Sequence, residues 1–346
     1  MNIINMEGFR QIKENEALSE SLSPDYIMDA LRANGVSVIT EWGSSPATLT
    51  RGSLTVNNIE RTGLKMTTDN TFRFNCAVPD LSKSAVQFGF RLTMSQEKKN
   101  HTRLFSVFND TFDTNIPNDG ASSYYFEIFL TYDGINTITT RVYCNSAVIH
   151  ENTFLKTQNA TDSFYITIGS SSMIFQKGLT GTVIIGDMYM ATTDYGENNA
   201  ASPELLGSIE VHYSPVASFT GDQHVISNGS DAVTSLNSSS ADTGYLVLAP
   251  TTQAAEITFG EMDVTGKTVV ASKVSVVYQG ASAPNNYLAV QAGSGGEKYA
   301  EAEVLDASAD TGTWSTEDSV HMLPPGGGSW GNSIGLSVSL YNRTRE

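Results

Sequence analysis

Two carboxylates of one predicted hairpin are the first residues whose chemistry could matter. Glu127 and Asp133 lie in the run YYFEIFLTYDG. Cleavage of a glycosidic bond needs two carboxyl groups that flank the bond, and a β-sandwich can present such a pair. The two acids do not occupy tightly spaced alternate positions of one strand, which would place them side by side on one face. We therefore expect Glu127 to face solvent and not to act as a catalytic acid.

An acidic loop, FNDTFDTN, offers the best local set of oxygen ligands for calcium. Its candidates are Asn109, Asp110 and Asp113. A calcium site needs several such oxygens converging from loops, whereas Asn and Asp are also the ordinary residues of turns. The turn is the favoured interpretation, so we predict no metal and no other cofactor.

Nucleophilic catalysis would require a serine or cysteine beside a base and an orienting acid. The sequence has no G-x-S-x-G motif, and Cys76 and Cys144 lie in separate strand-like runs. The histidines are scattered singly, which favours surface or loop positions over metal binding. On this basis the chain is predicted not to be an enzyme. The five histidines are His101, His150, His212, His224 and His321.

Aromatic side chains could instead stack on sugar rings. Trp314 and Trp330 are the ligand-binding candidates that are hardest to assign to a core, since both fall in predicted loops. Tyr143, Tyr189 and Tyr195 are further candidates by strand phase or loop position. Trp330 follows the glycine-rich run PPGGGSWGN, which lacks the lysine of a phosphate-binding loop.

The charge balance limits the classes of partner. With 20 Lys and Arg against 37 Asp and Glu, the formal net charge is −17. Such a chain repels phosphate backbones and anionic lipids. No run approaches the roughly 18 apolar residues of a membrane span. We therefore predict neither nucleic-acid binding nor membrane insertion.

The local patterns predict one helix followed by many strands. In SPDYIMDALRANG, Ser23 suits an N-cap, Pro24 the first turn and Gly35 the end; the residues before it resemble an arm. From residue 36 the hydrophobic period changes to two. In AVQFGFRLTM the apolar residues alternate with Gln87, Gly89 and Arg91, which is typical of a strand covered on one face.

The strand series predicts an all-β protein with two β-sandwich domains. About ten short strands with one apolar face each favour two packed sheets over a single open one. A relaxed pattern around Pro215 marks the boundary. We predict an N-terminal arm with a short helix over 1–35, a jelly roll over 36–214 and a smaller β-sandwich over 215–346.

The residue patterns resemble two known families. GFRLTM, LFSVFND, the hairpin YYFEIFLTYDGINTITTRVYCNSAVI and GTVIIGDMYMATT follow the order of strands in the concanavalin A-like, laminin-G-type jelly roll. The C-terminal run ADTGYLVLA, with KVSVVYQG, LAVQAGSGG and SWGNSIGLSVSLYN, resembles a domain of tailed-phage structural proteins. The second resemblance implies a component of a bacteriophage virion.

Two functions from different classes follow from these resemblances. The first is a structural protein on the particle surface, foremost a head decoration or capsid-associated protein. The second is a tail, collar or fibre component that binds a host surface glycan through its jelly roll. Either implies other virion proteins and further copies of this chain as partners, and assembly in the host bacterial cytoplasm.

Overall fold

The computed structural model forms two compact units, one ending at His212 and the other beginning at Tyr213. The segment 19–35, which includes the predicted helix, lies outside the described residues. The structure describes residues 1–8, 17–18, 36–41, 49–66, 71–77, 80–95, 105–107, 110–111, 122–155, 163–168, 182–197, 200–221, 223–226, 231–237, 244–249, 253–280, 285–306 and 314–344.

The first unit, unit 1, has strands and irregular segments but no α-helix within its described residues. The strands are β1 (Asn2–Glu7), β2 (Ala17–Leu18), β3 (Val36–Glu41), β4 (Leu49–Val56), β5 (Ile59–Met66), β6 (Thr71–Ala77), β7 (Ser84–Met94), β8 (Phe105–Val107), β9 (Asp110–Thr111), β10 (Ser122–Tyr132), β11 (Thr137–Cys144), β12 (Ala147–Leu155), β13 (Ser163–Ile168) and β14 (Val183–Asp194).

These strands form two antiparallel sheets. The larger has the order β12-β11-β10-β7-β14-β5-β4-β2, and the smaller has the order β3-β6-β13-β8-β9. Strand β1 also pairs with β14, antiparallel, from Asn2 opposite Thr192 to Glu7 opposite Met188. Residues 2–7 therefore do not form the free arm that the sequence led us to expect, because their backbone groups find partners in the chain's own sheet.

Strand β7, at the centre of the larger sheet, is buried along its whole length. One face has the predicted apolar residues. The other face, with Gln87, Gly89 and Arg91, is buried as well, so the prediction of a strand covered on one face only is wrong. The apolar face consists of Val86, Phe88, Phe90, Leu92 and Met94, all at most 2% exposed.

The turns of unit 1 follow from local chemistry. Asp133 and Gly134 begin the predicted β10–β11 turn, where Gly134 has φ +80° and Asp133 Oδ1 accepts three main-chain N–H groups, those of residues 135 to 137. These hydrogen bonds lower the pKa of Asp133 to about 2. Asn57 and Asn58 take positive φ between β4 and β5, as a tight hairpin turn requires.

The second unit, unit 2, contains one short helix among strands. Its elements are β15 (Val216–Thr220), β16 (Gln223–Ile226), α1 (Ala232–Leu236), β17 (Tyr245–Leu248), β18 (Ala255–Phe259), β19 (Met262–Asp263), β20 (Ser272–Gln279), β21 (Asn286–Ser294), β22 (Glu297–Lys298), β23 (Ala302–Asp306), β24 (Trp314–His321), β25 (Ser333–Ile334) and β26 (Leu336–Thr344).

A six-stranded sheet, β15-β18-β26-β21-β22 with β23 on β21, forms the body of unit 2. Strand β20, which pairs antiparallel with β24, contributes Val274 to the same core, beside Ile257 and Val338. The prediction of an all-β fold is thus confirmed for the described residues. Within them, no helix is both long and apolar enough to cross a membrane.

Candidate functional site

A set of polar side chains lies on the second face of the larger sheet of unit 1, opposite the apolar face. We call these residues the polar row. They come from three neighbouring strands, β10, β7 and β14, whose register places Tyr125 opposite Arg91, and both Glu127 and Tyr189 opposite Gly89. The polar row consists of Gln87, Arg91, Tyr125, Glu127, Asp187 and Tyr189.

Gly89 makes room at the middle of the polar row. A Cβ atom built on Gly89 would lie 2.0 Å from Cε1 of Tyr189 and 2.9 Å from the hydroxyl of Tyr125. The ring of Tyr189 therefore lies directly on the backbone of β7. This close approach brings the Tyr189 hydroxyl over to Glu127 on the neighbouring strand.

Glu127 is the centre of the hydrogen bonds in the polar row. Its Oε1 accepts from the Tyr189 hydroxyl at 2.7 Å and from Gln87 Nε2 at 3.2 Å. Glu127 is only 1% exposed, so the expectation of a solvent-facing side chain is wrong. Burial raises the pKa of Glu127, although the hydrogen bond from Tyr189 opposes the rise. Burial, and then the charge of Glu127, raises the pKa of Tyr189, which stays a donor.

Arg91 and Asp187 form a buried ion pair beside this centre. Arg91 Nε lies 2.7 Å from Asp187 Oδ2, and the two side chains are 6% and 14% exposed. The guanidinium carbon lies 5.3 Å from the ring centroid of Tyr125, within the range of a cation–π contact. The Tyr125 hydroxyl donates to the main-chain oxygen of Asp187. Residue Asp187 has φ +49° and lies at a bulge of β14.

An irregular segment, residues 204–211, lies over the polar row; we call it the strap. Gln87 Nε2 donates to the carbonyl of Glu204 at 3.0 Å, and Arg91 Nη2 donates to that of Ile209 at 2.7 Å. The N–H of Leu206 donates to Glu127 at 2.9 Å. The N–H of Val211 donates to Asp187 Oδ1 at 2.9 Å. Four side chains of the row thus bind four main-chain groups of the strap.

Two buried acceptors of the polar row have no donor in full hydrogen-bonding geometry among the described residues, although the N–H of Gly207 lies close enough to Glu127 to lower its pKa. They are Gln87 Oε1 and Glu127 Oε2. The two side chains are neighbours, since the other Glu127 oxygen lies 3.2 Å from Gln87 Nε2. Buried polar groups normally have a partner, and a missing one costs about 1–3 kcal/mol. The polar row is therefore not fully satisfied by the part of the chain that the structure describes.

The arrangement can bind a polar molecule in defined positions. Both tyrosines remain protonated at physiological pH, because their pKa values are raised. They therefore act as donors, while Glu127 and Gln87 offer unused acceptors and Arg91 offers a cation. Planar side chains with several hydrogen-bonding positions and aromatic rings suit a ligand rich in hydroxyl groups.

We predict that Glu127 makes the stability of unit 1 depend on pH. Its folded pKa lies above the ordinary value of 4.5, so its contribution is fully present below about pH 4.5 and is lost as the pH rises through the folded pKa. The substitution Glu127→Gln removes the titration. In urea unfolding, we expect the free energy of unfolding of the wild type, relative to that of Glu127→Gln, to fall as the pH rises from 4 to 8. Glu151→Gln alters an exposed carboxylate of β12, and we do not expect the same fall relative to this variant.

Of the residues that the sequence singled out, Glu127 and Tyr189 lie in the polar row, whereas the calcium and tryptophan candidates lie elsewhere. Asp110 begins β9, whereas Asn109 and Asp113 lie outside the described residues. Trp314 is the first residue of β24. Trp330 is half-buried, and its indole N–H donates to the carbonyl of Met322 at 3.0 Å. No cluster of three or more possible metal ligands occurs in the described part of the chain.

The aromatic candidates on strands are buried, not exposed. Tyr143 is 6% and Tyr189 1% exposed. Tyr195, which follows β14, is half-buried, and its hydroxyl accepts a hydrogen bond from the N–H of Tyr132. Sequence reasoning therefore missed the polar row as a unit. The available signal was the pattern Gln87, Gly89, Arg91 within a strongly apolar strand, with Glu127 on the next strand in the same phase.

The solved structures that are similar to this chain include two polysaccharide lyases and a lectin. No protein-family model and no curated protein sequence matches the chain. Among solved structures, an alginate lyase in complex with an alginate trisaccharide is 9% identical, with 54% of this chain and 97% of that chain covered at a TM-score of 0.33. The endo-β-1,4-glucuronan lyase of the fungus Trichoderma reesei is 12% identical, over 45% and 90%, at 0.28. Lectin I-B4 of Griffonia simplicifolia is 9% identical, over 46% and 93%, at 0.23.

These neighbours correct one prediction. The chain was expected not to be an enzyme, because no catalytic motif was found in its sequence. Two of the similar structures are polysaccharide lyases, so that exclusion is wrong and we withdraw it. The physical reason is that a motif search sees residues that are close in sequence. The polar row shows that this chain assembles its polar groups from strands far apart in sequence.

Proposed function

We propose that this protein binds carbohydrate, and that the face of unit 1 with the polar row is its ligand-binding face. One observation carries the proposal: Gln87 Oε1 and Glu127 Oε2 are buried acceptors without a donor in full hydrogen-bonding geometry among the described residues. Adjacent hydroxyl groups of a sugar supply two donors to such acceptors. Tyr125 and Tyr189, which their raised pKa values keep protonated, already donate to the main-chain oxygen of Asp187 and to Glu127. They orient the row and leave the two acceptors to a ligand.

A glycan array probed with the full chain tests this proposal. We expect binding to at least one class of oligosaccharide, and we expect Gln87→Leu to weaken that binding by about tenfold or more, since one lost hydrogen bond to a buried group is worth on the order of 1.4 kcal/mol. Gln291→Leu is the matched control, because Gln291 also donates to a main-chain carbonyl but lies on β21 in unit 2. Equal weakening by both variants would contradict the assignment of the site.

A finer proposal concerns where the protein acts. We propose that it is a component of a bacteriophage virion, foremost on the head, with other virion proteins as partners. The support is the residue pattern of its two halves and a sequence poor in charged residues, which make up 16% of the chain. Since β1 pairs within its own chain, residues 2–7 supply no arm for this role.

Copy number in purified particles is the measurement for this location. If the protein decorates the head, we expect hundreds of copies per particle in quantitative mass spectrometry, with the major capsid protein as the reference. About three to a few tens of copies would instead assign it to a collar, baseplate or fibre. Absence from the particles would show that the virion proposal is wrong.

A further inference from the structure

We propose that the strap, residues 204–211, is an intramolecular occupant of the ligand-binding face, and that ligand binds when the strap is displaced. This inference rests on the proposed function, because it describes how access to the same site is controlled. It predicts two states of unit 1: a closed state with the strap on the polar row, and an open state in which the row is accessible.

The composition of the covered face is the first argument. Where a protein covers a sheet permanently with its own chain, apolar contacts serve as well as or better than buried charges. One end of the covered face follows this rule: Leu205 packs with Tyr195 and Ala201 on Ala85, Phe129 and Tyr143. The rest is the polar row. Along β7 its residues alternate with apolar ones, as on a strand whose second face is open to solvent. The strap therefore has one apolar anchor and a polar remainder.

The chemistry of the strap contacts is the second argument. Gln87, Arg91, Glu127 and Asp187 all bind its main-chain N–H or C=O groups. Ser208 adds one side-chain contact to the row, as its hydroxyl accepts from Arg91. Outside the row, Glu210 of the strap pairs with Arg61 of β5 at 2.6 Å. Main-chain groups offer the same donors and acceptors as the hydroxyl groups of a sugar. A polyhydroxylated ligand can therefore replace the strap, bond for bond, on these side chains.

The low cost of opening is the third argument. The strap has no helix or strand of its own, so it can leave without breaking a backbone ladder. When it leaves, Arg91 and Asp187 still pair at 2.7 Å and the Tyr189 hydroxyl still donates to Glu127. No charge of the row is left alone, and water can solvate the exposed groups. Segments of this kind open locally, at a small fraction of the free energy of global unfolding.

Hydrogen exchange of the wild-type chain tests the strap without any ligand. The amides of Leu206 and Val211 are bonded to Glu127 and Asp187, so they report strap opening. We expect them to exchange about 100-fold faster or more than the ladder amides of β7 under native conditions. If instead all these amides exchange at the rate of global unfolding, the strap does not open separately and the inference is wrong.

A strap-release variant then connects opening with binding. Leu205→Ser removes the apolar anchor, and Leu323→Ser is the control because Leu323 is 56% exposed in unit 2. On the glycan array, we expect Leu205→Ser to bind at least about tenfold more tightly than the wild type. We expect Leu323→Ser to bind as tightly as the wild type. Unchanged binding by Leu205→Ser, with faster exchange at Leu206, would refute competition between strap and ligand.

The outcomes separate the two proposals. Fast exchange of the strap amides with no glycan bound by either the wild type or Leu205→Ser would contradict carbohydrate binding and leave strap opening as an observed fact. Glycan binding that depends on Gln87, with strap amides protected to the global limit, would support the proposed function and overturn the strap inference.

Discussion

Replacing Gly89 by alanine is expected to destabilise unit 1 by about 3 kcal/mol, since overpacking a well-packed interior usually costs about 1–3 kcal/mol and occasionally more. The added methyl group would lie 2.0 Å from Cε1 of Tyr189, closer than any non-bonded contact. Tyr189 is 1% exposed and its hydroxyl is bonded to Glu127, so the ring cannot move aside without losing that hydrogen bond. Exchange of the most protected β7 amides measures the loss in unit 1 alone.

Gly196→Ala is the matched control for this substitution. Gly196 also belongs to unit 1, and a Cβ there would have its nearest neighbour at 3.5 Å, an ordinary contact. We expect a change within about 0.5 kcal/mol. The double variant Gly89→Ala, Tyr189→Ala tests the cause, because removal of the ring should make the added methyl group nearly harmless. Additive effects of the two substitutions would show that the ring is not what excludes a side chain at position 89.

Replacing Arg91 by methionine is expected to destabilise unit 1 by about 3–5 kcal/mol, the usual cost of removing one partner of a buried ion pair. The substitution keeps a long side chain but leaves the carboxylate of Asp187, 14% exposed, without its cation. It also leaves the carbonyl of Ile209 and the hydroxyl of Ser208 without their donor. The same exchange measurement on β7 reports the effect.

The comparison with Arg141→Met makes this prediction specific. Arg141 donates to both oxygens of Glu151 across β11 and β12, at 2.8 and 2.9 Å, on the same sheet. Its pair is 37% and 48% exposed, so solvent screens it, and we expect a loss of no more than about 1 kcal/mol. Similar losses for Arg91→Met and Arg141→Met would contradict the closed state of the strap, because burial and the strap contacts of Arg91 are what distinguish the two pairs.

Together these substitutions separate stability from binding. Gly89→Ala and Arg91→Met change the packing and the charge of the polar row, whereas Leu205→Ser changes only what covers it. If the polar row serves a ligand, the first two are expected to lose glycan binding along with stability, and the third to gain binding while losing some stability. A purely structural polar row would lose stability in all three without any gain.

The local features of this chain could be predicted from sequence because each depends on neighbouring residues. Asp133 and Gly134 predicted the β10–β11 hairpin, since the carboxylate accepts hydrogen bonds from the turn and Gly134 takes a positive φ. The period of two in Val86, Phe88 and Phe90 predicted a strand with one apolar face. These are interactions within about a dozen residues, which a sequence displays directly.

The burial of the polar face could not be predicted in the same way. The strap binds Gln87 and Arg91 from 117 and 118 residues further along the chain. Nothing in the run around Glu204 marks it as a cover, because all but one of its hydrogen bonds to the row, that of the Ser208 hydroxyl, use main-chain groups that every residue has. Glu127 was therefore expected to face water, as its phase on the strand implied, and it is buried instead.

The sequence by itself determined the all-β class, the phase of the strands and the turns, because alternation and turn chemistry are properties of consecutive residues. Only the tertiary structure decided which faces are covered, that β1 completes its own sheet, and that Gln87, Arg91, Glu127 and Tyr189 form one site. The physical reason is that strand pairing and burial join residues about 40 to 120 positions apart, and the alternation of a strand specifies two faces without specifying what will lie on either of them.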